Sequence, residues 1–77
     1  MAPTADVTLD ASGLACPMPI LKTKKAMDGL QSGQVLKLIA TDPGSVSDVT
    51  AWTSKTGNPL LEHTTERGTF IFFIKKA

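Results

Sequence analysis

Apolar and polar residues alternate in short runs along this chain, and the period switches between two and about three and a half. Val7 and Leu9 alternate with Thr8 and Asp10, which predicts a short first strand stopping at the turn-forming run Ala11-Ser12-Gly13. From Pro17 to Leu30 the period is helical. Ile20, Thr23, Ala26, Met27 and Leu30 share one face, Lys22 and Lys25 lie opposite, and Gly29 and Gly33 mark the exit. Leu21 falls off the apolar face, beside the lysines. Gln34 to Ala40 returns to period two, with Leu36, Leu38 and Ala40 inward and Val35, Lys37 and Ile39 on the opposite face.

Asp42 is a suitable N-cap and Pro43 a suitable first helical residue, so a second helix is expected to run to about Thr56 and end at Gly57. Its inward stripe is Val46, Val49, Trp52, Thr53 and Thr56. Asn58-Pro59 then opens a third strand through Leu60 to Thr65, Glu66-Arg67-Gly68 turns the chain, and Thr69 to Lys76 forms a fourth strand. The order is βαβαββ. Two helices do not cover both faces of four strands, so the economical α+β arrangement is a two-layer sandwich with one wet sheet face. The last strand points Phe70, Phe72 and Ile74 to one side and Ile71 and Phe73 to the other. Lys75 shares the side of Ile71 and Phe73, and Lys37 stands beside Ile39, so that side is assigned to solvent. The Ile71/Phe73 patch is then either roofed by long neighbouring side chains or a docking surface.

Composition narrows the function classes more than it names one. Seventy-seven residues, 42% hydrophobic, make a single domain over 1–77, with residues 1–5 expected to be a flexible tail. Eight Lys and Arg against seven Asp and Glu leave a net charge of +1, too balanced for direct binding of nucleic acid or a membrane surface. The N-terminus lacks the pattern of a signal peptide, and the longest apolar run, Phe70 to Ile74, is too short to span a bilayer, which predicts a soluble, cytoplasmic protein. Cys16 is the single cysteine, so an internal disulfide and a CxxC pair are impossible. His63 is the single histidine and lies far along the chain from Cys16, so no metal site is expected.

The chemistry therefore concentrates at Cys16. It follows a strand end and a glycine-containing loop, and it precedes a proline suited to the first turn of a helix. A thiol at a helix N-terminus has a pKa below its free value of about 8.5 and is more reactive. Pro17 and Pro19 remove N–H donors from that turn, and Pro19 disfavours helical geometry at Met18, so the helix begins either at Pro17, with Cys16 as N-cap, or near Pro19, with Cys16 in the loop. Either way the prolines stiffen the segment. The competing reading is a small, buried, structural cysteine. Lys22, Lys24 and Lys25 read as a solvated face, Asp10 as a loop organiser, and Arg67 as an exposed hairpin charge at the same sheet edge.

These residues fall into a pattern. Leu9-Asp10, Gly13-Leu14 and Cys16-Pro17-Met18-Pro19, followed by Ala40-Thr41-Asp42-Pro43-Gly44-Ser45, closely resemble the TusA/SirA family of sulfur-carrier proteins, over about Asp6 to Lys76. The resemblance implies a mixed sheet ordered 1-2-4-3, the fourth strand antiparallel to the rest and both helices on one face. It implies that Cys16 carries sulfane sulfur as a persulfide, supported by Pro17, Pro19, Gly13 and Asp10. The donor would be a cysteine desulfurase or a rhodanese, and the acceptor a cysteine of a DsrE-like, TusD-like or other thiol protein. Lys22, Leu21 and Arg67 are the candidate partner contacts on a monomer that needs no cofactor. The alternative is a regulatory or chaperone-like adaptor with a structural cysteine.

Overall fold

A computed structural model describes residues 4–15 and 18–77. In chain order the elements are β1 (Val7–Ala11), α1 (Met18–Asp28), β2 (Val35–Ala40), α2 (Ser45–Thr56), β3 (Leu60–Glu66) and β4 (Thr69–Lys75). The sheet runs β1-β2-β4-β3, with β1 parallel to β2 and β4 antiparallel to both of its neighbours. The two strands richest in apolar residues, β2 and β4, are therefore the central pair. Leu36, Leu38 and Ala40 sit opposite Ile74, Phe72 and Phe70, and all six point toward the helices. Met27 from α1, Val49 from α2 and Ala11 at the end of β1 close this layer, and all three are fully or almost fully buried. Each large apolar side chain so enclosed contributes about 1.5–3 kcal/mol.

The helix periods hold where they meet this core. Thr23 and Met27 are buried and Ile20, Ala26 and Leu30 half-buried, while Lys22 and Lys25 face solvent. The Thr23 hydroxyl donates to the Pro19 carbonyl at 2.7 Å, which lets a polar side chain occupy the apolar stripe. The helix stops at Asp28, two residues earlier than the period suggests. The N–H groups of Gly29 and Leu30 then bond to the Ala26 and Met27 carbonyls, in tighter turns. At the end of α2, Gly57 adopts φ +79 and its N–H bonds to the Thr53 carbonyl, the expected left-handed stop. The β3–β4 hairpin turns on Arg67 and Gly68, both with positive φ (51 and 78), as a two-residue loop matched to strand twist requires.

Two expectations are corrected, and one alternative left open is decided. First, α2 starts at Ser45, with Gly44 and not Asp42 as its N-cap. The Asp42 backbone carbonyl accepts the Ser45 N–H at 2.9 Å, closing a turn ahead of the helix, and no side-chain cap is made. Second, Thr56 is exposed. It is the last residue of α2, and its hydroxyl bonds back to the Trp52 carbonyl. Of the two readings of the Ile71/Phe73 face, the structure bears out the roofed one. Phe73 is only 7% exposed, Val35 is buried and Ile71 half-buried. Phe73 lies on a central strand between Lys37 and Glu62, and the Lys37 ammonium stands 6.0 Å from its ring centre, so long polar neighbours roof the ring. That burial removes the surface on which an adaptor docking through Ile71 and Phe73 depends.

Candidate functional site

Because β1, β2 and β3 are parallel, their carboxyl ends share one edge with the start of β4 and with the N-termini of both helices. Ligands of open parallel sheets gather at this edge. The loop leaving β1 is built by local hydrogen bonds. Asp10 Oδ1 accepts the Ser12 N–H at 2.9 Å, and the Leu14 N–H reaches the Ala11 carbonyl at 3.2 Å. Gly13 is the third residue of that turn and adopts φ +78, a conformation that suits glycine. Hydrogen bonds from Ser12, its hydroxyl first and its backbone N–H second, hold the exposed Asp10 carboxyl below its ordinary range. Asp10 is thus a loop organiser, as its sequence position suggests.

The turn is also fastened from outside. Gly13 donates its N–H to Thr41 Oγ1 at 2.8 Å, linking the loop after β1 to the loop after β2. Leu14 packs half-buried on the core, and the Ala15 carbonyl accepts the Met18 N–H at 2.9 Å where α1 begins. Pro19, in the first helical turn, is buried and needs no N–H there. Cys16 and Pro17 lie outside the described residues, so the choice between a capping and a loop cysteine does too.

The remaining candidates divide in space. Met18, Leu21, Lys22 and Lys25 recur at helical spacing and form one solvent-facing stripe that starts at the first residue of α1. Met18 is 42% and Leu21 53% exposed. The first turn of α1 carries no acidic residue. Arg67 occupies the hairpin between β3 and β4, at the same edge but two to three strands from β1, a lateral distance of about 10–14 Å. Sequence reasoning singled out Leu21 and Lys22, whereas Met18, Thr41 and Ser45 stood there only as members of motifs, with no role of their own. The position of Thr41 one step beyond Ala40, which pairs with Ala11, is the signal that locates it beside the β1 loop. Ser45 is 2% exposed, and its hydroxyl makes no hydrogen bond among the described residues. His63 lies away from this edge, exposed on β3 and 6.0 Å from the Phe72 ring. Among the described residues no cluster of His, Cys, Asp and Glu could hold a metal ion, and no helix is long and apolar enough to cross a membrane.

Residues 7–76 match the family model described as Sulfurtransferase TusA. The sulfur carrier protein TusA of Allochromatium vinosum is 57% identical over 72 residues, covering 94% of this chain and 95% of the relative. The putative sulfur carrier protein YrkI of Bacillus subtilis is 54% identical, covering 94% and 96%. Among solved structures, the SirA-like protein of Desulfitobacterium hafniense superposes with a TM-score of 0.79 at 25% identity, over 90% of this chain and 95% of that one. The four-stranded mixed sheet ordered 1-2-4-3 agrees with that likeness.

Proposed function

Starting from the fact that this chain belongs to the TusA family, we propose that it is a sulfur carrier in which Cys16 receives a sulfane sulfur from one protein and gives it to another. The observation that carries this reading is the placement of the chain's single thiol. In sequence Cys16 lies two residues before α1, whose described start is at the sheet's carboxyl edge, within the Cys16-Pro17-Met18-Pro19 run.

The exchange needs no external oxidant or reductant. In loading, the Cys16 thiolate attacks the outer sulfur of the donor's persulfide. A new S–S bond forms on Cys16, the donor's S–S bond breaks, and the donor leaves as a thiolate. In unloading, an acceptor thiolate attacks the outer sulfur on Cys16 and releases the Cys16 thiolate. One sulfur atom moves at each step and the count of S–S bonds is unchanged. With no second cysteine in the chain, the persulfide has no internal thiol to collapse onto.

The donor in this reading is a cysteine desulfurase or a rhodanese, and the acceptor is a DsrE-like, TusD-like or other thiol protein, all in the cytoplasm, where a lone cysteine stays reduced. The Met18, Leu21 and Lys22 stripe is the surface nearest in sequence to Cys16 and supplies apolar contact with a basic rim. Arg67 contributes to the edge's positive potential from the far hairpin. The test is intact-protein mass spectrometry after incubation with a persulfidated donor. The parent chain is expected to gain the mass of one sulfur, removable by a reducing agent, and Cys16→Ser is expected to gain none. Equal loading of the two chains contradicts the proposal.

A further inference from the structure

The turn that carries the chain from β1 toward Cys16 is closed partly by its own residues, through Asp10 and Ser12, and partly by a residue from another loop. The Gly13 N–H to Thr41 Oγ1 bond, 2.8 Å long, joins positions 28 residues apart in sequence, and it ties this turn by a side chain to the loop that follows β2. Its geometry follows from register. Ala11 pairs with Ala40, so Thr41, the first residue after β2, meets the turn that β1 has just entered. Ala11 and Leu14 at the two ends of the turn pack on the core, whereas Gly13 between them is exposed at φ +78 and a Cβ added there would meet nothing within 4 Å, so its own position is held by the Thr41 bond and not by packing.

We propose that Thr41 is a positioning residue for sulfur transfer at Cys16, acting through the turn and without touching the reacting sulfurs. The inference rests on Cys16 being the sulfur site. Persulfide exchange requires the attacking sulfur, the transferred sulfur and the leaving sulfur in line, and small misplacement of one reactant costs rate more than it costs binding. A loop anchored at one end by α1 and the core, and at the other by Thr41, keeps the cysteine-bearing segment in register with a visiting protein. The Thr41 bond lies in an exposed setting, so removing it leaves the Gly13 N–H free to bond water, and the cost to folding is small.

The experiment compares the parent full-length chain with Thr41→Val, Thr41→Ala and Thr41→Ser, each loaded from a rhodanese carrying a persulfide, with folding checked by circular dichroism at the assay temperature. Loss of one hydrogen bond is expected to slow loading at saturating donor by about fivefold in the valine variant. The alanine variant, which also lacks the hydroxyl and is less bulky, is expected to give the same loss and stands in if valine disturbs the fold. The half-saturating donor concentration is expected to stay at the parent value, and serine to restore the rate to within about twofold, since its hydroxyl accepts the same bond. Parental rates in the valine and alanine variants overturn the inference, as does a serine variant as slow as valine. A change confined to the half-saturating concentration overturns it too. A parent chain that takes up no sulfur overturns the carrier reading and this inference together, whereas a parent that loads no faster than the valine variant overturns this inference alone.

Discussion

The two helices begin at the same edge of the sheet, but their entrances are furnished differently. At α2 the fold supplies its own negative charge. A Cβ built on the capping Gly44 would meet Asp42 Oδ2 at 3.2 Å and Asp48 Oδ2 at 3.8 Å, so two carboxylates lie over the positive end of that helix. At α1 the first turn has no acidic residue, and the exposed stripe of Met18, Leu21, Lys22 and Lys25 is apolar and basic. One helix end is satisfied from within. The other, which follows Cys16 in sequence, has no acidic side chain in its first turn, and in the proposed reading it is where a thiolate sulfur or the carboxylates of a partner supply the negative charge.

Four substitutions break or sharpen this contrast. The largest effect belongs to Gly13→Ala. No atom lies within 4 Å of the added Cβ, so the expected cost, about 1–2 kcal/mol, comes from the left-handed backbone alone. Chemical denaturation measures it, and an unchanged midpoint would show that the turn relaxes without penalty. Next is Leu21→Glu, which gives α1 a carboxylate in its first turn as α2 already has. It is expected to slow sulfur loading from a persulfidated donor by about fivefold or more, through lost apolar contact and an added negative charge. A parental loading rate would separate this stripe from partner recognition.

Ser45→Ala has a smaller effect of opposite sign. Its hydroxyl is buried without a partner among the described residues, so removal is expected to leave stability unchanged or raise it by up to about 1 kcal/mol. A clear loss in thermal melting would reveal a bond to that oxygen. The smallest is Asp10→Asn, which keeps the acceptor oxygen and removes the charge. The folded Asp10 carboxyl is held below its ordinary value of 3.8, so its contribution is fully present above that value and is lost as pH falls through the lower folded value. The parent's melting advantage over the asparagine variant is therefore expected to be constant above pH 3.8 and to shrink in more acidic buffer. An advantage that grows on acidification would reverse the assignment.

What was legible in the sequence follows the physics of each region. Period-two and helical patterns placed all six elements, because burial against a single core is read directly from Leu36, Leu38, Phe72, Met27 and Val49. The burial of Phe73 was legible only as one of two alternatives. It depends on Lys37 and Glu62 arriving beside the ring from two neighbouring strands, a matter of pairing register that one strand's alternation does not contain. The start of α2 was misjudged because Asp42 and Pro43 carry the chemistry of a helix entrance but serve a preceding turn, closed by a backbone bond to Ser45. At the candidate site, the importance of Cys16 and its loop came from local sequence. The role of Thr41 did not, because its bond to Gly13 exists only once β1 and β2 lie side by side.

The most direct test of the account is a two-stage chase. The chain is loaded with isotopically labelled sulfur, separated from the donor, and mixed with an acceptor protein bearing one reactive cysteine. The account expects label on the parent chain after the first stage, on the acceptor after the second, and on neither when Cys16 is replaced by serine. Label that stays on the parent chain, or that loads equally onto the serine variant, would contradict it.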